Sequence, residues 1–314
     1  MIRLRIVSMA RRRYYTLCSH NFKNKADRGI LGSREGLLSF KNLIVASRLD
    51  LASRSIAQRI LSLYDFKESS TKICGEKVYE GLIYGEEASL AFVDSDITDT
   101  QFLEGIVKPS LLIFVSRHES QRGTPILSTH VPGNLGSAEH GGLPKKVSIA
   151  PARAMKAALK ALEFQRQERG LPYIVSYEAT HHGPSLDIPT IFIEIGSTPK
   201  EWGDPKACEA VALSVEAAIK ASTIDDSSMA SIGIGGLHYN EKFTKIGLQE
   251  GLALGHMIPK YAMPSIDAEV LRQCVERTLE AVEVAILDWK GIPSGPRRWI
   301  HETLKGLGLD IRRV

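Results

Sequence analysis

From residue 42 onward, short apolar runs alternate with longer stretches in which apolar residues recur at helical spacing. The runs at 42–47, 77–84, 88–93, 110–115, 124–129, 172–179, 189–195, 230–234 and 253–257 have the length and composition of strands. Helical periodicity predicts helices over 51–64, 151–169, 204–222, 241–252 and 266–289. In the second of these, Met155, Leu159 and Leu162 fall at i, i+4 and i+7, and Gly170 stands where a helix-ending glycine belongs. In the last, Val270, Val275, Leu279, Val282 and Ile286 make a similar stripe, which reads as core packing. Strands alternating with helices predict a three-layer α/β/α fold, and the strands crowded between 77 and 129 predict that its sheet is mixed. No internal repeat, linker or low-complexity stretch interrupts residues 41–314, so we expect them to form a single α/β domain. The Gly/Pro/Lys segment 132–147 reads as a long loop, a feature that compact domains usually keep for function.

Composition removes several classes. A chain of 314 residues buries a core without covalent staples. The four cysteines (Cys18, Cys74, Cys208, Cys274) are scattered and form no C-x-x-C pair, which excludes a disulfide scaffold and a zinc ribbon and fits a reducing compartment. No apolar run reaches the roughly 18 residues of a membrane-spanning helix. We therefore expect a cytoplasmic protein with no membrane partner. The formal net charge of +4 is concentrated at one end: residues 1–40 hold nine Lys/Arg, among them Arg11, Arg12 and Arg13, against two acidic residues. Residues 41–314 hold 31 basic and 34 acidic residues, so any contact with nucleic acid must use a local patch. Residues 1–40 read as a flexible basic extension: a dispensable start, an organellar transit peptide or an arm that touches phosphates.

Candidate chemistry lies where apolar runs end. Leu111–Val115 leads into Ser116-Arg117-His118, and Ile126-Leu127 into Ser128-Thr129-His130-Val131-Pro132-Gly133-Asn134. Tyr173–Tyr177 leads into Glu178-Ala179-Thr180-His181-His182-Gly183-Pro184, Ile191–Ile195 into Gly196-Ser197, and Ile232–Ile234 into Gly235-Gly236-Leu237-His238-Tyr239. Open α/β sheets bind ligands beyond the carboxyl ends of their strands, so these motifs are expected to converge. His118, His130, His140, His181, His182 and His238 lie at or near such ends. Such a cluster, with Glu178, fits zinc held by imidazoles, and it fits equally well metal-free histidine bases. On an extended strand Glu178 and His182 face one side and His181 the other, unless Gly183-Pro184 marks an earlier strand end. Arg117, Arg122, Lys145 and Lys146 border the same loops and suit phosphates. The chain has no H-E-x-x-H, no G-x-S-x-G nucleophile elbow and no P-loop. Cys208 and Cys274 fall on helix stripes and are not read as nucleophiles.

Taken together, Ser116-Arg117-His118, Thr129-His130-x-Pro132-Gly133-Asn134, Glu178 to Pro184, Phe192-x-Glu194-Ile195-Gly196-Ser197-Thr198 with Trp202, and Gly233-Ile234-Gly235-Gly236-x-His238-Tyr239 resemble the archaeal and plant type of D-aminoacyl-tRNA deacylase. The resemblance runs from about residue 42 to about 265. It implies a phosphorylase/hydrolase-like α/β/α fold and zinc-dependent hydrolysis of the ester that joins a D-amino acid to the 3′ end of tRNA. It implies that some of His118, His130, His181, His182 and His238 hold Zn²⁺. Glu178, His181, His182 and Glu194 are the expected catalytic residues. Arg117, Asn134, Gly235, Gly236 and Tyr239 are the expected substrate contacts, with the glycine N–H groups or Arg117 facing the oxyanion. The partner is the acceptor end of D-aminoacyl-tRNA, met by a monomer. The competing readings are a zinc-dependent peptidase or amidase acting on small D-amino-acid derivatives, and a tRNA-binding module without turnover.

Overall fold

Leu43, Ile44 and Val45 form an unbroken apolar run because their strand is covered on both faces. The computed structural model describes residues 36–120, 123–223 and 227–314. The basic segment through residue 35, and Arg122, lie outside them. Strand β1 (Leu38–Ser47) pairs in parallel with β4 (Glu86–Val93) on one side and β5 (Val107–Arg117) on the other. Outward from β4 run β3 (Glu76–Ile83) and β2 (Lys67–Ile73), both antiparallel to their neighbours. Outward from β5 come β8 (Thr190–Gly196), parallel to it, then β6 (Ile126–His130), antiparallel to β8, then β7 (Ile174–Tyr177). The eight strands make one mixed sheet in the order β2-β3-β4-β1-β5-β8-β6-β7.

Period-two alternation sorts the side chains of this sheet. Ile44, Ala46, Ile113, Val115, Ile191 and Ile193 face helices α1 (Leu51–Leu63), α2 (Ala152–Glu168) and α4 (Pro205–Ala221). Leu43, Val45, Leu112, Phe114 and Phe192 face the other way, toward the short 3₁₀ turns Ile97–Asp99 and Gln101–Gly105 and toward Leu186 and Ile188. A short turn, α3 (Pro199–Trp202), precedes α4. The helix ends obey local rules. Asp50 caps α1 through Ala52 N–H and Ser53 N–H, and Asp204 caps α4 through Lys206 N–H and Ala207 N–H. Glu280 accepts Ala152 N–H and Arg153 N–H at the start of α2, and Gly170 follows its end at φ +58°.

The remaining strands form a second, wholly parallel sheet: β10 (Leu252–Ile258), β9 (Met229–Ile234), β11 (Val282–Leu287) and β12 (Asp310–Arg313), in that order. Leu254, Met257 and Ile286 join the first core, while Ile232, Ile234, Ala285 and Leu287 face α6 (Ala268–Glu276) and α7 (Arg297–Gly306). Helix α2 packs on strands of both sheets, and α5 (Glu241–Gln249) fills the space between α2, β7 and β10. Among the described residues, no helix is long and apolar enough to cross a membrane.

The long helix expected over 266–289 is a helix followed by a strand. α6 stops at Glu276, Leu279 N–H turns away to donate to Ala150 O, and residues 282–287 pair with β9. The stripe continued by chance, since Leu279 is 58% exposed. The helix expected over 241–252 likewise ends at Gln249, three residues before β10 begins. Strands β2 and β12 and helix α7 carried no clear apolar period and were not expected. The two sheets together make a mixed α/β architecture in which helices lie between sheets, and turns cover the far face of the larger one.

Candidate functional site

Strand register places the first members of the site. Ser116 on β5 and Glu194 on β8 are partners in the parallel ladder, and the Ser116 hydroxyl donates to Glu194 Oε1 at 2.5 Å. Because β6 runs antiparallel to β8, His130 is the partner of Phe192, and their rings stack with centroids 5.0 Å apart at 15°. The cluster therefore does not gather beyond a common carboxyl edge. β6 and β7 point opposite to β5 and β8, and the site lies over the turn-covered face of the sheet, on the side of Phe192.

The second sheet supplies the rest. β7 ends at Tyr177, and the chain after it is stitched to the other sheet. Glu178 bridges to Tyr239, Ala179 N–H donates to His238 O, and Thr180 N–H donates to Met257 O. This crossing brings His238 Nε2 to 2.9 Å from Glu178 Oε2 and frees both His181 and His182 from strand alternation. His181 Nε2 lies 3.6 Å from the same Glu178 oxygen. His118 Nδ1 stands 3.3 Å from Glu178 Oε1 and 3.7 Å from Glu194 Oε2, while its Nε2 is hydrogen-bonded to the Tyr239 hydroxyl. The Trp202 indole N–H donates to His118 O, and the Tyr261 hydroxyl pairs with His238 Nδ1.

Charge is distributed unevenly over this cluster. Burial opposes a charge on His118, but the Glu178 and Glu194 carboxylates outweigh it and push its pKa up to about 10. Burial also opposes a charge on Glu178, yet His118 and His238 hold its carboxyl well below the usual carboxylate range. Burial pushes Glu194 up, and the Glu178 charge adds to it, against hydrogen bonds from His118 and Ser116. These effects favour a buried imidazolium–carboxylate pair, His118 with Glu178, beside a second carboxyl, Glu194, of raised basicity.

The environments of His130, His181 and His182 favour the neutral ring. Burial and neighbouring rings hold His130 and His181 well below the ordinary histidine value, and burial takes His182 down to about 4. His181 Nδ1–H donates to Ala179 O and His182 Nδ1–H to Gly183 O, each at 2.7 Å, which leaves the two Nε2 lone pairs unengaged by the backbone. His130 is fully buried with no hydrogen-bond partner on either ring nitrogen. Ligand atoms of His130, His181 and His182 lie within 4.8 Å of one another. The sets Glu178/His181/His238 and His118/Glu178/Glu194 meet the same criterion. A divalent cation bound by three neutral imidazoles would satisfy the otherwise stranded His130 nitrogen, so these residues fit zinc.

A cavity of about 1140 Å³ opens onto His118, His181, His182, His238 and Glu194, with Arg117 and Trp202 on one wall. Glu178 lies beneath these rings and is 0% exposed. The Arg117 guanidinium sits 5.3 Å from the Trp202 ring, and Arg117 N–H donates to Asp50 Oδ2. His140 also lines the cavity.

Some expected contacts are used otherwise. Asn134 donates its amide to Gly141 O and Leu143 O and so ties the 132–147 loop together. Gly235 N–H donates to Ile258 O, which removes it as an oxyanion donor; the Gly236 carbonyl accepts Lys260 N–H, a contact that does not engage the Gly236 N–H. The glycine at 235 is required by backbone form: φ is +104°, and a Cβ there would come within 2.6 Å of Asp288 O. Ser116, Asp50, Tyr261 and His256 had no assigned role in the sequence. Only Asp50 carried a signal, as an acidic residue immediately before a helical period. Cys208 and Cys274 are buried away from the cavity, as expected.

A family model described as D-aminoacyl-tRNA deacylase matches residues 106–312, which include the site from Ser116 to Tyr261. A curated D-aminoacyl-tRNA deacylase of Thermococcus kodakarensis is 37% identical over 275 residues, 86% of this chain and 99% of that protein. The one of Methanosarcina mazei is 34% identical and covers 88% of this chain and 93% of its own length. The crystal structure of a conserved protein of unknown function has a TM-score of 0.79 and 29% identity, covering 87% of this chain and 95% of its own.

Proposed function

The chain belongs to the D-aminoacyl-tRNA deacylase family and hydrolyses the ester bond of D-aminoacyl-tRNA, and we propose that it does so at the imidazole–carboxylate cluster around Glu178. The observation that carries this placement is the pairing of one buried carboxylate, Glu178, with His118, His181 and His238 at the floor of the large cavity.

In this reading the aminoacyl ester enters the cavity with its carbonyl toward His118. Glu194 lines the cavity, and burial and the Glu178 charge push its carboxyl upward, which makes it a stronger base for orienting water and taking its proton. Arg117, on the same wall, stabilises the developing oxyanion, and the His118 imidazolium passes its proton to the leaving ribose oxygen through the Tyr239 hydroxyl that its Nε2 meets. The ester carbon–oxygen bond breaks, and free D-amino acid and tRNA leave. Glu178 is fully buried beneath the cavity; its charge sets the proton on His118, and its Oε2 holds His238 by Nε2. His130, His181 and His182 would hold Zn²⁺ by their free ring nitrogens. The bound ion would lower the pKa of a coordinated water to about 7. His118 has both nitrogens engaged, so we assign it to proton handling and not to the metal. We place the enzyme in the cytoplasm as a monomer that meets the acceptor end of tRNA.

The test is release of D-tyrosine from D-tyrosyl-tRNA, with L-tyrosyl-tRNA alongside, before and after chelation. Turnover of the D-form alone, lost on chelation and restored by zinc, is the expected result. D-specific turnover that survives chelation would remove the metal from the reading. Equal turnover by a His181→Ala variant would remove the site.

A further inference from the structure

Strand β10 carries a single histidine among apolar neighbours. His256 is 0% exposed and sits at the break in register between Leu254 and Met257. Such irregularities re-aim side chains. A buried imidazole needs partners for both ring nitrogens, and His256 has them. Nε2 lies 3.0 Å from Ser148 O, which can only accept, so Nε2 carries the hydrogen and Nδ1 accepts. Nδ1 lies 3.1 Å from Thr180 Oγ1, so the Thr180 hydroxyl donates to the ring. The same Thr180 oxygen accepts Met257 N–H at 3.1 Å. Ser148 completes the chain of contacts: its hydroxyl donates to Pro184 O at 3.0 Å and accepts Leu186 N–H at 2.8 Å.

One imidazole and one serine thus grip the segment Thr180–Pro184 at both ends, and His181 and His182 lie between the grips. The segment needs holding. His182 has φ +43°, a left-handed conformation that strains a non-glycine residue and persists only where the surroundings enforce it. The His181 and His182 rings are pinned to Ala179 O and Gly183 O, so any backbone shift carries both Nε2 atoms with it. The other backbone ties between the grips, Gly133 N–H to His181 O and His182 O and Gly183 N–H to the His140 carbonyl, come from the 132–147 loop.

We propose that His256 is a positioning residue for the deacylase reaction: acting through Thr180 and Ser148, it fixes where His181 and His182 present their Nε2 atoms. The proposal rests on the reading in which those two histidines work at the site. His256 itself does not line the large cavity.

The experiment uses the full chain with substitutions His256→Leu, His256→Gln and Thr180→Val, each checked for folding by circular dichroism. Zinc affinity is read by competition with a chromophoric chelator, and kcat and KM on D-tyrosyl-tRNA are read separately. Loss of partners that orient metal-binding histidines typically lowers affinity or activity about 10–100-fold. His256→Leu should weaken zinc binding and lower kcat by about that factor, with KM within about twofold of wild type. His256→Gln, which can still donate to Ser148 O, should recover most of both. Thr180→Val should fall between them, and combining it with His256→Leu should add little, because the two act through one contact. A His256→Leu protein that melts lower but keeps wild-type zinc affinity and kcat would overturn the proposal and leave His256 as packing. Should His256→Leu not fold, His256→Gln and Thr180→Val decide by the same readouts. If wild type binds no zinc, the split between kcat and KM decides. His181→Ala, in which His256 is intact, tests the underlying reading by itself.

Discussion

Glu178 Oε2 lies 2.9 Å from His238 Nε2, although the two residues are 60 positions apart and belong to segments leaving different sheets. The contact exists because the chain after β7 pairs with the turn after β9. It makes a fully buried carboxylate the common neighbour of three imidazoles. Its hydrogen bond and charge, joined by those of Glu194, hold the proton on His118 against the effect of burial. Glu178→Gln keeps the volume and removes the charge. The His118 pKa should then fall from about 10 toward its ordinary value, and kcat should drop by roughly 10²–10⁴, the range of acid–base catalysis. Imidazole titration by NMR together with kcat checks both. A variant whose His118 titrates as before while activity is lost would place the function of Glu178 elsewhere.

The buried histidines give stability a defined pH dependence. His256 titrates at about 4 in the folded protein because burial penalises its charge, and at about 6.5 when unfolded. Between those values the unfolded chain binds more protons, so folding stability is complete above pH 6.5 and declines as pH falls through 4. The shift corresponds to about 3 kcal/mol. His130 and His181, also lowered, act in the same direction. His118 acts oppositely: its folded value of about 10 means that its contribution is complete below pH 6.5 and is lost as pH rises toward 10. Urea midpoints of the chelated protein should therefore peak near pH 6.5. His256→Gln should flatten the acid side by about one proton. A midpoint that stays level from pH 7 to pH 4.5 would contradict the neutral, buried state of these rings.

The sequence showed what depends on one segment and hid what depends on two. β1, β5 and β8 were readable because both faces are buried and their apolar runs are continuous, and α2 because Met155, Leu159 and Leu162 keep one face. His118, His130, His181, His182 and His238 were readable as site candidates because each follows an apolar run. The Glu178–His238 contact was not readable, since it depends on how two sheets meet. Gly235 looked like an oxyanion donor until the parallel ladder with β10 claimed its N–H for Ile258 O. The strand Val282–Leu287 was hidden because its Val and Ile residues happened to extend a helical stripe beyond the true helix end at Glu276.

His130 separates stability from function. Its ring lies flat on Phe192, is fully buried, and has no hydrogen-bond partner for either nitrogen. A buried polar atom without a partner costs about 1–3 kcal/mol, and a well-packed apolar side chain does not. His130→Leu should therefore leave the metal-free protein as stable as wild type or up to about 2 kcal/mol more stable, while abolishing zinc-dependent turnover. Added zinc should raise the melting temperature of wild type and leave that of the Leu variant unchanged. Thermal melts with and without zinc, run beside the tRNA assay, check this. Clear destabilisation of the metal-free Leu variant would mean that the His130 nitrogens are satisfied in solution by a group other than zinc.

Asp50 has two jobs on its two oxygens. Oδ1 accepts Ala52 N–H and Ser53 N–H and so caps α1, while Oδ2 accepts Arg117 N–H at 2.7 Å and sets the backbone from which the Arg117 side chain reaches the cavity wall. Asp50→Ala removes both and should cost about 1–2 kcal/mol, the usual worth of a cap and somewhat more for a buried partner left bare. Asp50→Asn separates the two jobs. The amide oxygen can still cap the helix, but the amide nitrogen then faces Arg117 N–H, and two donors repel. Stability should fall by about 1 kcal/mol or less, since Asn is as good a cap as Asp. KM for D-aminoacyl-tRNA should rise several-fold as Arg117 shifts, with a smaller change in kcat. Chemical melts and steady-state kinetics on the pair of variants distinguish the roles. If Asp50→Asn matches wild type in KM while Asp50→Ala is merely less stable, Asp50 is a helix cap alone, and the position of Arg117 is set by its packing against Trp202.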